Sequence, residues 1–123
     1  MSKGYDVIKY TLSDGSYSAS TVAGGNGSGN AVALSPTITV SLVTTANNST
    51  HVSLADGVEG QLKIIIHKTR SNSKDLVITP ANFGAGSTLT SNLGSRAVQL
   101  LFDGGSWQVV AGEITGTAEM VIA

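Results

Sequence analysis

The sequence predicts an all-β domain, and three observations predict it. Ser, Thr, Asn and Gly fill 51 of the 123 positions, a turn-rich composition in which Thr also suits a pleated surface. Apolar residues recur at a spacing of two over short runs, and no longer window carries a helical period. Gly, Pro, Asn and Asp punctuate those runs at short intervals, as they do in sandwiches and small barrels. The expected architecture is a single antiparallel sandwich or small barrel, of jelly-roll or β-tulip type. Residues 31–123 would form this β domain, and residues 1–30 an extended Gly/Ser-rich N-terminal arm.

The arm is expected because Ser13 to Asn30 is almost entirely Gly, Ser, Asn, Ala and Thr. Such a stretch buries too little apolar area to offset an ordering cost of roughly 1–2 kcal/mol per residue. Tyr5, Val7, Ile8 and Tyr10 give its start something to bury against a neighbouring subunit. Beyond it, Ile38, Val40 and Leu42 share one face of a strand over 37–42, and Val52 and Leu54 do so over 51–54. Asp56-Gly57 marks a turn before a strand over 61–69. Leu76 to Thr79 is a short strand stopped by Pro80, and Ser87 to Thr90 is another. Arg96 to Phe102 and Ser106 to Val110 form a hairpin around Asp103-Gly104-Gly105. Met120-Val121-Ile122 closes the pattern.

Two strands are apolar on both faces. In the first, Leu62, Ile64 and Ile66 are assigned to the core and Ile65 to the outside. In the second, Val98, Leu100 and Phe102 are assigned inward, Ala97 and Leu101 outward. A small domain covers one face of each strand with its own core, so the other face needs a different cover. Ile65, Leu101 and Trp107 are therefore the expected oligomer-interface residues. By this parity Ile64→Asp unfolds the protomer and Ile65→Asp dissociates the oligomer.

The chain is poor in groups that do chemistry. Its formal charge of −1 gives no electrostatic footprint for nucleic acid or an anionic membrane. Without Cys there is no disulfide scaffold, thiolate metal site or thiol nucleophile. His51 and His67 both carry outward parity and have no carboxylate at ligand spacing. Asp56 and Glu59 read as turn residues. The Gly24–Gly29 tract lacks the Lys-Ser/Thr ending of a phosphate loop, no Ser sits in a Gly-x-Ser-x-Gly elbow, and Lys68, Arg70 and Lys74 read as a solvated loop. No enzyme, cofactor or metal is expected. The start of the sequence carries no signal-peptide pattern and no run is long enough to span a bilayer, so synthesis in a cytoplasm is expected.

Three segments carry a resemblance. They are Thr50-His51-Val52-Ser53-Leu54-Ala55-Asp56-Gly57-Val58-Glu59-Gly60-Gln61-Leu62-Lys63-Ile64-Ile65, then Asp75-Leu76-Val77-Ile78-Thr79-Pro80-Ala81-Asn82-Phe83, then Val98 to Gly112 with its Trp107 hairpin. About half the chain resembles a recurrent β-domain of tailed-phage and marine-virus virion proteins, found in capsid decoration, head-fibre and tail-appendage proteins. The resemblance implies a non-catalytic, usually trimeric virion component. A short subunit suits a capsid decoration (cement) protein that sits on the outside of the head and clamps the major capsid protein. Its partners would then be itself, as a homotrimer, and the major capsid protein. Its location would be the virion surface, after synthesis in the host cytoplasm. Alternatives are a head-fibre or tail-appendage module contacting the host surface, and a neck or tail-tube component. Tyr5, Val7, Ile8 and Tyr10 would contact the capsid or a neighbouring protomer.

Overall fold

The computed structural model describes residues 18–112 and 120–123. Ten strands follow in chain order: β1 (Ala19–Ala23), β2 (Val32–Leu34), β3 (Val40–Thr45), β4 (His51–Leu54), β5 (Leu62–Arg70), β6 (Leu76–Pro80), β7 (Leu89–Ser91), β8 (Arg96–Phe102), β9 (Trp107–Gly112) and β10 (Met120–Ile122). They form two five-stranded sheets, ordered β1-β3-β5-β8-β9 (sheet A) and β10-β7-β6-β4-β2 (sheet B). The fold is an all-β sandwich, as the periodicity predicts.

Its topology is mixed rather than antiparallel. From β1 to β6 the chain alternates between the sheets, and each strand lies parallel to the one two places earlier. These six strands make three windings of a two-layer solenoid. The last four strands add antiparallel pairs: β8 on β5, β9 on β8, β7 on β6 and β10 on β7. Period-two patterning reports which face a residue takes and is silent on strand direction, so the sequence could not separate the two topologies.

The expected arm is corrected for residues 18–30. Ala19–Ala23 pairs in parallel with Val40–Thr44, and a 3-10 turn at Ser28–Asn30 leads into β2. The glycines here serve close approach. A Cβ on Gly25 would lie 1.9 Å from the Asn30 carbonyl oxygen, and one on Gly24 would lie 2.9 Å from the Ser49 backbone. Gly25 also exchanges backbone hydrogen bonds with Thr50 and His51. Tyr5, Val7, Ile8 and Tyr10 lie outside the described residues.

Between the sheets lies one apolar core of Leu34, Val43, Val52, Leu54, Ile65, Leu76, Ile78, Leu89, Val98, Leu100, Phe102, Trp107 and Met120. The expected inward residues of β4 and β8 are in it. In β3 and β5 the parity is reversed. Ser41, Val43 and Thr45 point inward while Val40 and Leu42 point outward. Lys63, Ile65 and His67 point inward, and the register sets Leu62, Ile64 and Ile66 against outward residues of the neighbouring strands. Hydrophobicity favours the wider apolar set of β5 as its core face, but the sandwich buries the set that carries Lys63 and His67. At Ile65 no surface is exposed, so an aspartate there buries an unpaired charge. Ile65→Asp is expected to abolish cooperative unfolding, whereas Ile66→Asp on the outer face costs roughly 1 kcal/mol and leaves a folded chain. Near-UV circular dichroism of Trp107 together with thermal melts checks both.

Candidate functional site

The outer face of sheet A is the candidate site. The register sets Val40 beside Ile64 and Leu42 beside Ile66, and Leu62 beside Leu101. Six aliphatic side chains thus form a continuous stripe across β3, β5 and β8. Five are half-buried, and Ile64 at its centre is 8% exposed. The flanks are mostly small or polar: Ala19 and Thr21 on β1, Ala97 and Gln99 on β8, Gln108 on β9, with Val110 of β9 an exposed aliphatic exception.

The outer face of sheet B has a different chemistry. There the register aligns Ala33, Ser53 and Thr79 in one row, and His51, Val77, Thr90 and Val121 in another. Three of these seven residues carry hydroxyls and one is His51, and the two valines are separated by Thr90. Alternation of apolar and polar residues marks a solvated outer face of a sheet, and only sheet B shows it.

Of the three residues expected at an interface, one lies on this stripe. Leu101 is outward and half-buried. Ile65 and Trp107 are corrected to core residues, with no exposed surface in the single chain. Trp107 donates its indole N–H to the Ala55 carbonyl at 3.0 Å and meets Phe102 edge-on, with ring centroids 5.2 Å apart. An indole with its polar handle satisfied inside the sandwich is an anchor for the fold.

The inward polar residues of β5 explain how the stripe comes to face out. Lys63 is fully buried. Its ammonium donates to the Ser35 carbonyl at 2.9 Å, the Ile38 carbonyl at 2.6 Å and Ser41 Oγ at 2.7 Å. These three acceptors match its three donors. Desolvation lowers its pKa to about 8, so at neutral pH the ammonium is still charged. His67 is buried too, with Nε2 2.8 Å from Thr45 Oγ1 and Nδ1 2.8 Å from Ser91 Oγ. Burial is the main influence and lowers its pKa below 6.5, against an opposing contribution from the Leu93 carbonyl. The outward parity expected of His67 is corrected to inward together with that of Ile65.

The remaining polar residues serve turns. Asp103 accepts from the backbone N–H groups of Gly105 and Ser106 and from Gln108 Nε2, and these bonds hold its pKa below the usual carboxylate value. Asp56 accepts from Asn82 Nδ2, and Arg70 pairs with Asp75 at 2.8 Å. His51 and His67 sit on different sheets. Among the described residues no cluster of three His, Cys, Asp or Glu is placed to hold a metal, and no helix is long and apolar enough to cross a membrane.

No protein-family model matches the chain, and no curated protein matches it.

Two predictions concern the inward polar pair. Lys63→Met strips the donor from two partly buried loop carbonyls and from Ser41 Oγ, and is expected to cost about 2–3 kcal/mol in urea unfolding. Because the folded-state pKa of His67 is lowered, the unfolded chain takes up its proton first as pH falls. Stability from this group is therefore complete above pH 6.5 and declines below it, levelling beneath the folded-state pKa. In His67→Gln, denaturant midpoints measured against pH should lose that slope.

Proposed function

We propose that this chain is a non-catalytic structural subunit of a virion, a capsid decoration protein that works by burying the outer face of sheet A. The observation that carries this reading is the aliphatic stripe of Val40, Leu42, Leu62, Ile64, Ile66 and Leu101 on one outer face, opposite one in which polar residues interrupt the aliphatic ones. A contiguous apolar patch framed by small and polar residues is the signature of an association surface. The first partner in this reading is a second and third copy of the chain, closing as a homotrimer. The second is the major capsid protein, which the trimer clamps from the outside of the head. The virion assignment rests on the sequence resemblance over Thr50 to Gly112. The association assignment rests on the stripe.

Such a subunit needs no bond-making chemistry. Binding only to the assembled shell stabilises that shell by mass action, and a standard interface of about 1,600 Å² is sufficient for specific attachment. Leu101→Asp places a charge at the β8 end of the stripe, beside Leu62, without touching the core. Sedimentation velocity at micromolar concentration is expected to give a trimer for the native chain and a folded monomer for Leu101→Asp. The native trimer should also co-sediment with shells of the major capsid protein made by the same virus, and the variant should not. A native chain that stays monomeric, or a trimer unaffected by Leu101→Asp, would remove the association surface. A trimer that ignores the shells would remove the decoration role alone.

A further inference from the structure

His67 connects the two sheets through a chain of hydrogen bonds whose protons can be counted. Thr45 on β3 lies beside it because β5 carries one extra residue, Lys68, between the pairs Val43–His67 and Thr44–Thr69. That bulge swings Thr45 Oγ1 to 2.8 Å from Nε2. Ser91, at the end of β7 in the opposite sheet, reaches Nδ1 at the same distance. Each hydroxyl then continues to a loop carbonyl: Thr45 Oγ1 donates to the Lys74 oxygen at 2.7 Å, and Ser91 Oγ donates to the Leu93 oxygen at 2.9 Å.

A hydroxyl has one hydrogen. If both are given to the loop carbonyls, both oxygens can only accept from the ring, and the ring must carry protons on both nitrogens. The complete set of four bonds therefore belongs to the imidazolium. A neutral ring has one N–H, so one hydroxyl must turn inward and leave its carbonyl. We propose that His67 is a proton-operated clasp on the 92–95 loop: the imidazolium holds the Leu93 carbonyl through Ser91, and the neutral ring releases it.

One feature selects that loop over the one at 71–75. The Thr45–Lys74 bond is the shorter of the two outer bonds, so the neutral ring keeps its proton on Nε2 facing Thr45 and draws the Ser91 hydroxyl to Nδ1. The 92–95 loop also carries Ser95 at φ 61, while its backbone N–H donates to the His67 carbonyl at 2.6 Å. Left-handed backbone at a non-glycine residue persists where its surroundings impose it. The 71–75 loop carries two such residues, Asn72 and Ser73, so left-handed backbone does not separate the two loops.

The electrostatic surroundings permit the titration. Arg70 opposes protonation and Asp75 favours it, and these two are paired with each other. Arg96 is the cross-strand register partner of His67 on β8. β3, β6, β7 and β10 bring no charged side chain to the ring. The clasp tightens in acid even though global stability falls there, because the unfolded chain binds the same proton more readily.

The test follows the ring and the loop together in the full chain between pH 7.5 and 4.5. Imidazole nitrogen shifts are expected to show a neutral ring protonated on Nε2 that becomes doubly protonated below pH 6.5. Amide protection in 92–95, corrected for the intrinsic pH dependence of exchange, should rise about five-fold over that transition, the equivalent of one hydrogen bond. Protection in 71–75 should not change. In Ser91→Ala the ring still titrates and the response of 92–95 disappears. A neutral ring protonated on Nδ1, flat protection in 92–95, or a wild-type response in Ser91→Ala would each overturn the clasp. The first two readouts need only the native chain.

Discussion

The direction in which β5 faces is the constraint on which the rest of the structure depends. This strand is central in sheet A, parallel to β3 on one side and antiparallel to β8 on the other, so its parity fixes that of both neighbours. It turns a lysine, an isoleucine and a histidine inward and a leucine and two isoleucines outward. On transfer free energy alone this is the wrong way round, since burying Lys63 costs far more than exposing Ile66. What reverses the balance is supply of partners. Two loop carbonyls and Ser41 meet the ammonium, and Thr45 and Ser91 meet the imidazole. Polar residues this well satisfied specify a single packing arrangement, because any slip of register orphans all of them.

Much of the sandwich could be read from sequence. The strands at 51–54, 76–79, 96–102 and 106–110 follow from alternation and turn chemistry, and the inward residues expected on 51–54 and 96–102 are the ones the sandwich buries. β5 was located but inverted. With Ile64, Ile65 and Ile66 in succession, hydrophobicity does not distinguish the two faces, and the deciding residues, Lys63 and His67, read by their usual preference as solvent-facing. Lys63 alternates with Ile65 and His67, and Ser41 alternates with Val43 and Thr45 on β3. Small hydroxyl residues on a strand next to a lysine-bearing one were the signal that such a lysine could be accommodated inside.

β1 was missed for a related reason. Low-complexity Gly/Ser sequence reads as disorder when judged by the area each residue can bury. Here a glycine lets one winding approach the next, as Gly24 does against Ser49 and Thr50, and the stabilisation comes from ladder hydrogen bonds to β3. The parallel pairing that gives those residues their place links windings 21 positions apart, from Ala19 to Val40, a separation at which local pattern carries no information. Trp107 was located in the right hairpin, but its partner, the Ala55 carbonyl, sits far away in sequence, so core and interface could not be told apart.

Inward polarity and outward apolarity are two sides of one assignment, and the proposed role in assembly stands only if β5 faces as described. Because the chain contains no cysteine, single cysteines at positions 65, 66 and 101 report this directly through their reaction with a thiol reagent in folded, diluted protein. Cysteines at 66 and 101 are expected to react at rates near that of an exposed thiol and to become protected as the protein is concentrated. The cysteine at 65 is expected to react only as fast as the chain unfolds. Rapid labelling at 65 with a protected, concentration-independent 66 would contradict the account.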